Sequence, residues 1–142
     1  MALPTLSTPT YELTIPSNKK KIKYRPFLVK EEKVLLLALE SEDDKEIANA
    51  MKGLIKACVL TKGIDPDELA TFDVEYIFLN IRGKSIGEDI DVKMVCPDDG
   101  TTEITTKIPI DKIKVRFTKG HTNQIQISDD LWVEMKYPNI DS

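Results

Sequence analysis

Histidine is almost missing from this chain: His121 is the only one among 142 residues, alongside two cysteines and one tryptophan. Proton shuttling and zinc chemistry near neutral pH usually draw on several imidazole or thiolate groups, so catalysis of those kinds has little to work with. Cys58 and Cys96 are too few for a disulfide framework and fall in differently patterned regions, so both read as thiols. Long apolar runs are also lacking. The longest, Val34 to Leu39, is six residues, against the ~18–20 that a bilayer span needs, and no charged-then-apolar leader opens the chain. The expectation is a soluble, cytoplasmic protein with no membrane contact, no cofactor and no small-molecule substrate.

What is present is ordinary globular material, with 41% hydrophobic residues. A chain near 150 residues buries roughly 68–70% of its unfolded surface, enough for one core without staples. Charge is unevenly distributed. Residues 1–39 hold 7 Lys/Arg against 3 Asp/Glu, residues 40–103 hold 7 against 16, and residues 104–142 hold 6 against 5. An acidic middle behind a basic front argues against a dedicated nucleic-acid binder, which needs a basic face across the domain. It suits a protein that meets other proteins through patches of opposite sign.

The pattern along the chain predicts an α+β fold: an N-terminal β-hairpin, about three central helices and C-terminal antiparallel strands. Residues 1–10, with Pro4 and Pro9 and no periodicity, read as an extended arm ahead of a single domain over 11–142. Tyr11 to Ile15 and Lys21 to Phe27 alternate around the turn residues Pro16-Ser17-Asn18, with Ile22 and Tyr24 on one face and Pro26 marking an edge or an end. Good helix formers predict a helix over 30–40, and apolar residues on nearly every side of its second half make it central. Asp43-x-x-Glu46 resembles a capping box for a second helix, whose Ile47, Met51, Leu54, Ile55, Cys58 and Val59 form one stripe. Asp73 is expected to cap a third helix that turns Val74, Ile77, Phe78 and Ile81 inward and stops at Gly83. After Gly87 the period becomes two: Ile90, Val92 and Met94, then a turn over Cys96 to Gly100, then Thr101 to Ile108. Ile113 to Phe117 and Asn123 to Tyr137 read as two further strands.

Motifs with chemical potential are weak. Gly83-Lys84-Ser85 resembles the end of a phosphate-cradling loop, but Phe78 stands where that motif opens with glycine, and Leu79 is next to it. Cys96-Pro97-Asp98-Asp99-Gly100 is half a zinc knuckle in which Asp99 replaces the second thiolate, and a hairpin turn is the plainer reading. Asp43/Asp44, Asp98/Asp99 and Asp129/Asp130 lie at turns and caps, where Asp is favoured for backbone reasons. The chain therefore reads as non-enzymatic. The concentrated feature is basic: Lys19, Lys21, Lys23 and Arg25 would share one side of a strand, either guarding an edge or meeting an acidic partner.

Two stretches, Tyr11-Glu12-Leu13-Thr14-Ile15-Pro16-Ser17 with Lys21 to Lys33, and Asp73-Val74-Glu75-Tyr76-Ile77-Phe78-Leu79-Asn80-Ile81-Arg82-Gly83-Lys84-Ser85-Ile86-Gly87, resemble the baseplate hub protein family of T-even-type contractile-tailed bacteriophages. The resemblance implies a virus-encoded structural subunit or assembly factor of the hub, present in the host cytoplasm during assembly and in the virion tail baseplate. Its partners would be other hub proteins and the spike complex. A Cys-Pro-x-Cys-Gly turn often follows the second stretch in that family, and Cys96 to Gly100 matches it in place without the second thiolate. Once the inward face of the third helix is assigned, Tyr76, Asn80, Arg82 and Lys84 remain for a partner. The reading from a different class is a small regulatory or nucleic-acid-associated binding module of the infected cell.

Overall fold

A computed structural model describes residues 7–142. Residues 1–6 of the expected arm lie outside the described residues, and Ser7 to Thr10 have no regular structure. The architecture is α+β, with three helices and three antiparallel strand pairs. β1 (Tyr11–Thr14) pairs with β2 (Lys21–Tyr24), placing Leu13 opposite Ile22 and Tyr11 opposite Tyr24. As the alternation predicts, Ile22 and Tyr24 point into the core, with 1% and 2% of their surfaces exposed. β2 ends before Pro26. Its outer edge is partly paired, because Leu60 N–H donates to Lys23 C=O and Arg25 N–H to Cys58 C=O.

α1 (Val29–Ser41) packs on α2 (Asp44–Cys58) and buries only Glu31, Leu35 and Ala38, one narrow stripe. The expectation of a central helix is thus overturned: Val34, Leu36, Leu37 and Leu39 lie outside, with exposures of 57%, 52%, 66% and 49%. A helix that is apolar all round does not specify which side is buried, and here only one side has a neighbour. α2 begins as expected at Asp43, although the carboxylate accepts from Lys45 N–H rather than from Glu46. Its stripe buries Leu54, Ile55 and Cys58 fully and Ile47, Met51 and Val59 partly.

α3 (Thr71–Ser85) starts three residues earlier than the sequence suggests, with Ala70 at the N-cap. Asp73 does not cap it. The carboxylate is fully buried and accepts hydrogen bonds from the Ser17 N–H, at 3.1 Å, and from the Ser17 hydroxyl, pinning the β1–β2 turn to the helix. Val74, Ile77 and Ile81 are completely buried, and Phe78 partly so. Gly83 does not stop the helix either. It is buried inside the last turn, where an added Cβ would stand 3.0 Å from Ile110 Cδ1.

β3 (Asp89–Val95) and β4 (Glu103–Pro109) form a hairpin closed by Cys96 to Gly100, followed by a 3₁₀ turn at Ile110–Lys112. Gly100 takes φ +65°, a left-handed conformation that glycine adopts without cost, and its N–H donates to Cys96 C=O. Ile113 to Phe117 is not a strand. Ile113 and Val115 are half-buried and line a pocket with Tyr76 and Leu79 of α3, so the alternation records a buried side without a strand to pair with. The segment expected as one strand over 123–137 is a hairpin, β5 (Gln124–Ser128) and β6 (Leu131–Glu134), reversed at Asp129-Asp130. Two consecutive aspartates there are turn chemistry.

The C-terminal tail folds back on the helices. Lys52 of α2 sits between Asp67 and Asp141, at 2.9 and 2.6 Å, Asn139 donates to Asp67 C=O, and Ile140 packs against the core. Hydrogen bonds from Lys52 and Lys56 hold Asp67 down to about 2.

Candidate partner interface

The basic row divides in the structure. Lys21 and Lys23 stand exposed on β2, Lys23 facing Glu12 across the hairpin at 3.8 Å. Lys19 lies in the turn before the strand, at φ +59°, with its ammonium 5.2 Å from the centre of the Phe117 ring. Arg25 is turned inward. Its Nη2 donates to Glu31 Oε1 at 3.0 Å and its Nη1 to Pro26 C=O at 2.9 Å, while Glu31 Oε2 accepts the Leu28 N–H at the start of α1. Burial by itself would raise the Glu31 carboxyl, but the Arg25 and Leu28 hydrogen bonds and the guanidinium charge outweigh it and hold the group below its usual range. Arg25 therefore joins hairpin to helix, and of the expected row of four only Lys21 and Lys23 stand exposed on the strand, Lys23 beside Glu12.

The α3 residues also separate. Tyr76, Asn80 and Lys84 follow one another at i, i+4, i+8 along one row. The Asn80 amide donates to Tyr76 C=O at 2.8 Å, and Lys84 pairs with Glu88 while standing 5.1 Å over the Tyr11 ring. Arg82 faces another way. It enters a groove of about 330 Å³ lined by Glu32, Leu35, Leu36 and Leu39 of α1, Ile47 and Met51 of α2, Phe78 of α3, and Phe27 and Ile86. Its Nη1 is buried without a hydrogen-bond partner.

The sequence motifs with chemical potential are occupied by structural tasks. Ser85 of Gly83-Lys84-Ser85 accepts the Phe27 N–H and donates to Ile81 C=O. Asp99 receives the Thr102 hydroxyl and the N–H groups of Thr102 and Thr101, which together hold its carboxyl down to about 2 and close the hairpin turn. Burial pushes the Cys58 thiol up to about 11, the wrong direction for a nucleophile. Among the described residues no three His, Cys, Asp or Glu side chains, Cys58, Cys96 and His121 included, are placed to hold a metal ion. His121 is exposed but not isolated: it stacks on Tyr137, hydrogen-bonds its hydroxyl at 2.5 Å, and stands 5.3 Å from Phe117. These rings flank a cleft of about 920 Å³ that also touches Pro16, Ser17 and Lys19.

The surface is unusually apolar around these features. In addition to the outer face of α1, the C-terminal hairpins expose Met94, Ile104, Ile125, Ile127, Leu131 and Trp132. Large exposed apolar side chains grouped on one element, as on α1, are the material of protein contact surfaces. The family model described as T4 bacteriophage base plate protein matches residues 8–142. The chain belongs to that family. It is a T4-type phage baseplate protein, and the two stretches that carry the resemblance in sequence, the β1–β2 hairpin and α3, are joined in space by Ser17 and Asp73. Neither a curated protein nor a solved structure matches the chain. No helix among the described residues is long and apolar enough to cross a membrane.

Proposed function

We propose that this baseplate protein is a non-enzymatic subunit or assembly factor of the tail hub, acting through contacts with other hub proteins and the spike complex. It would be made in the host cytoplasm and act in, or on the way to, the virion baseplate. The observation that carries the reading is the outer face of α1. Burying a leucine is worth about 1.5–3 kcal/mol, so a helix that leaves Leu36, Leu37 and Leu39 exposed favours an arrangement in which another chain covers them. The exposed Lys21 and Lys23 on β2 supply a second, polar contact suited to an acidic partner, and would act mainly on the rate of encounter.

The test is mass spectrometry of purified tails and of baseplate intermediates from cells infected with phage lacking this gene, complemented by wild type or by Leu37→Asp. The expected result is hub assembly with wild type and its loss with the variant, whose isolated fold is unchanged because Leu37 contributes little to the core. Complete hubs without the gene would refute the proposal. Replacing Lys21 and Lys23 by Ser should slow association at low salt and make little difference at physiological salt.

A further inference from the structure

Arg82 is half-buried, and its Nη1 is enclosed without a hydrogen-bond partner among the described residues. Buried polar atoms in native proteins almost always find a partner, and a guanidinium in an apolar site needs an opposite charge to offset its desolvation. Arg82 Nη1 has no acceptor, and Glu32, which borders the same groove, forms no ion pair with it among the described residues. The walls are otherwise apolar. Leu36, Leu39 and Ile86 form a rim that is half exposed, so the groove is open to a visitor along the α1 side. A space of about 330 Å³ takes side chains, not a folded element. The occupant's backbone must therefore lie across the rim while its side chains enter.

We infer that the groove between α1, α2 and α3 is the docking site for a segment of another baseplate protein that inserts apolar side chains around one Asp or Glu, whose carboxylate pairs with Arg82. This deepens the proposed role in protein contacts and rests on it. Arginine suits the task because its planar fork binds a carboxylate through two parallel hydrogen bonds, and such arginines anchor interfaces. The leucines exclude water from the pair once the segment is seated. In the free chain Nη1 gains no hydrogen bond, so removing the charge should not weaken the fold, which separates this reading from a structural one.

The decisive variant is Arg82→Met, which keeps the apolar stem and removes the charge. An arginine held for a partner predicts an unchanged or raised melting temperature for the isolated full-length chain, with incorporation into baseplate intermediates reduced by about tenfold or more. A lowered melting temperature would show that Arg82 serves the fold, and normal incorporation would show that the groove is not used. Either outcome overturns the inference. Phage carrying Arg82→Glu then identify the partner: suppressors that change an Asp or Glu of another baseplate protein to Lys or to the amide support the pairing. Suppressors confined to this chain, at Glu32 or elsewhere, refute it. Wild-type chain missing from hubs that assemble normally without its gene would instead defeat the baseplate hub reading, so the two failures are distinguishable.

Discussion

Replacing Arg25 by Met should damage the fold, although in sequence it is the last member of an exposed basic row. The Arg25 side chain is 16% exposed and that of its partner Glu31 8%, with a 3.0 Å contact between Arg25 Nη2 and Glu31 Oε1. Removing one member of a buried ion pair costs ~3–5 kcal/mol, because the other charge is left desolvated. This pair lies just beneath the surface, where water partly rehydrates the orphan, so about 2–3 kcal/mol is the reasoned cost. Against a typical total of ~5–15 kcal/mol and a urea slope of ~1–3 kcal/mol per molar, the midpoint should fall by roughly 1–2 M. Lys21→Met and Lys23→Met, on the exposed face of the same strand, should move it by less than about 0.3 M.

The pH dependence gives an independent check. Glu31 is held below its ordinary value of 4.5 in the folded chain. Its contribution is therefore complete above the unfolded value and fades as pH falls through and below about 4.5, where the folded carboxyl also takes up a proton. The difference between wild type and Arg25→Met should shrink over that same window. Urea unfolding followed by circular dichroism at pH 7 and at pH 3 measures both effects. A midpoint for Arg25→Met indistinguishable from that of Lys23→Met at pH 7 would refute the assignment of Arg25 to the fold.

Asp73→Ala removes two hydrogen bonds from Ser17 to a fully buried carboxylate and should cost about 3–5 kcal/mol; Ser17→Ala should cost less, and a double-mutant cycle should show a coupling of ~1–3 kcal/mol. Additive losses in calorimetric or denaturant unfolding would mean the two residues act separately. The helical glycines should respond in opposite directions. Gly53→Ala, in the exposed middle of α2 with nothing within 4 Å of the new Cβ, should stabilise by about 0.5–1 kcal/mol, while Gly83→Ala should be neutral or destabilising, because Ile110 must yield before any helix-propensity gain is realised. A stabilised Gly83→Ala in thermal denaturation would argue against the close contact with Ile110.

Much of the architecture was determined by short-range pattern. Alternation over residues 11–15 and 21–27 set the hairpin and its buried face, the stripe from Ile47 to Val59 set α2, and Val74, Ile77 and Ile81 set the inward side of α3. These are periodicities, and a periodicity needs no knowledge of what lies opposite. The tertiary structure decided whatever depends on a neighbour distant in sequence. Leucines on every side of α1 give no direction, and only its docking on α2 selects Leu35 over Leu36 and Leu37. Asp73 has the residue type of a helix cap, but Ser17, 56 positions away, makes it a buried acceptor. Gly83 has the residue type of a helix stop, but Ile110 requires it as a point of close approach. Ile113 to Phe117 has the rhythm of a strand and no strand beside it. Arg25 and Arg82 are chemically the same residue, and sequence offered both to a partner. Glu31 at hydrogen-bonding distance commits the first to the fold, while the Nη1 of the second is buried among apolar side chains and bonds neither Glu32 nor any other group among the described residues.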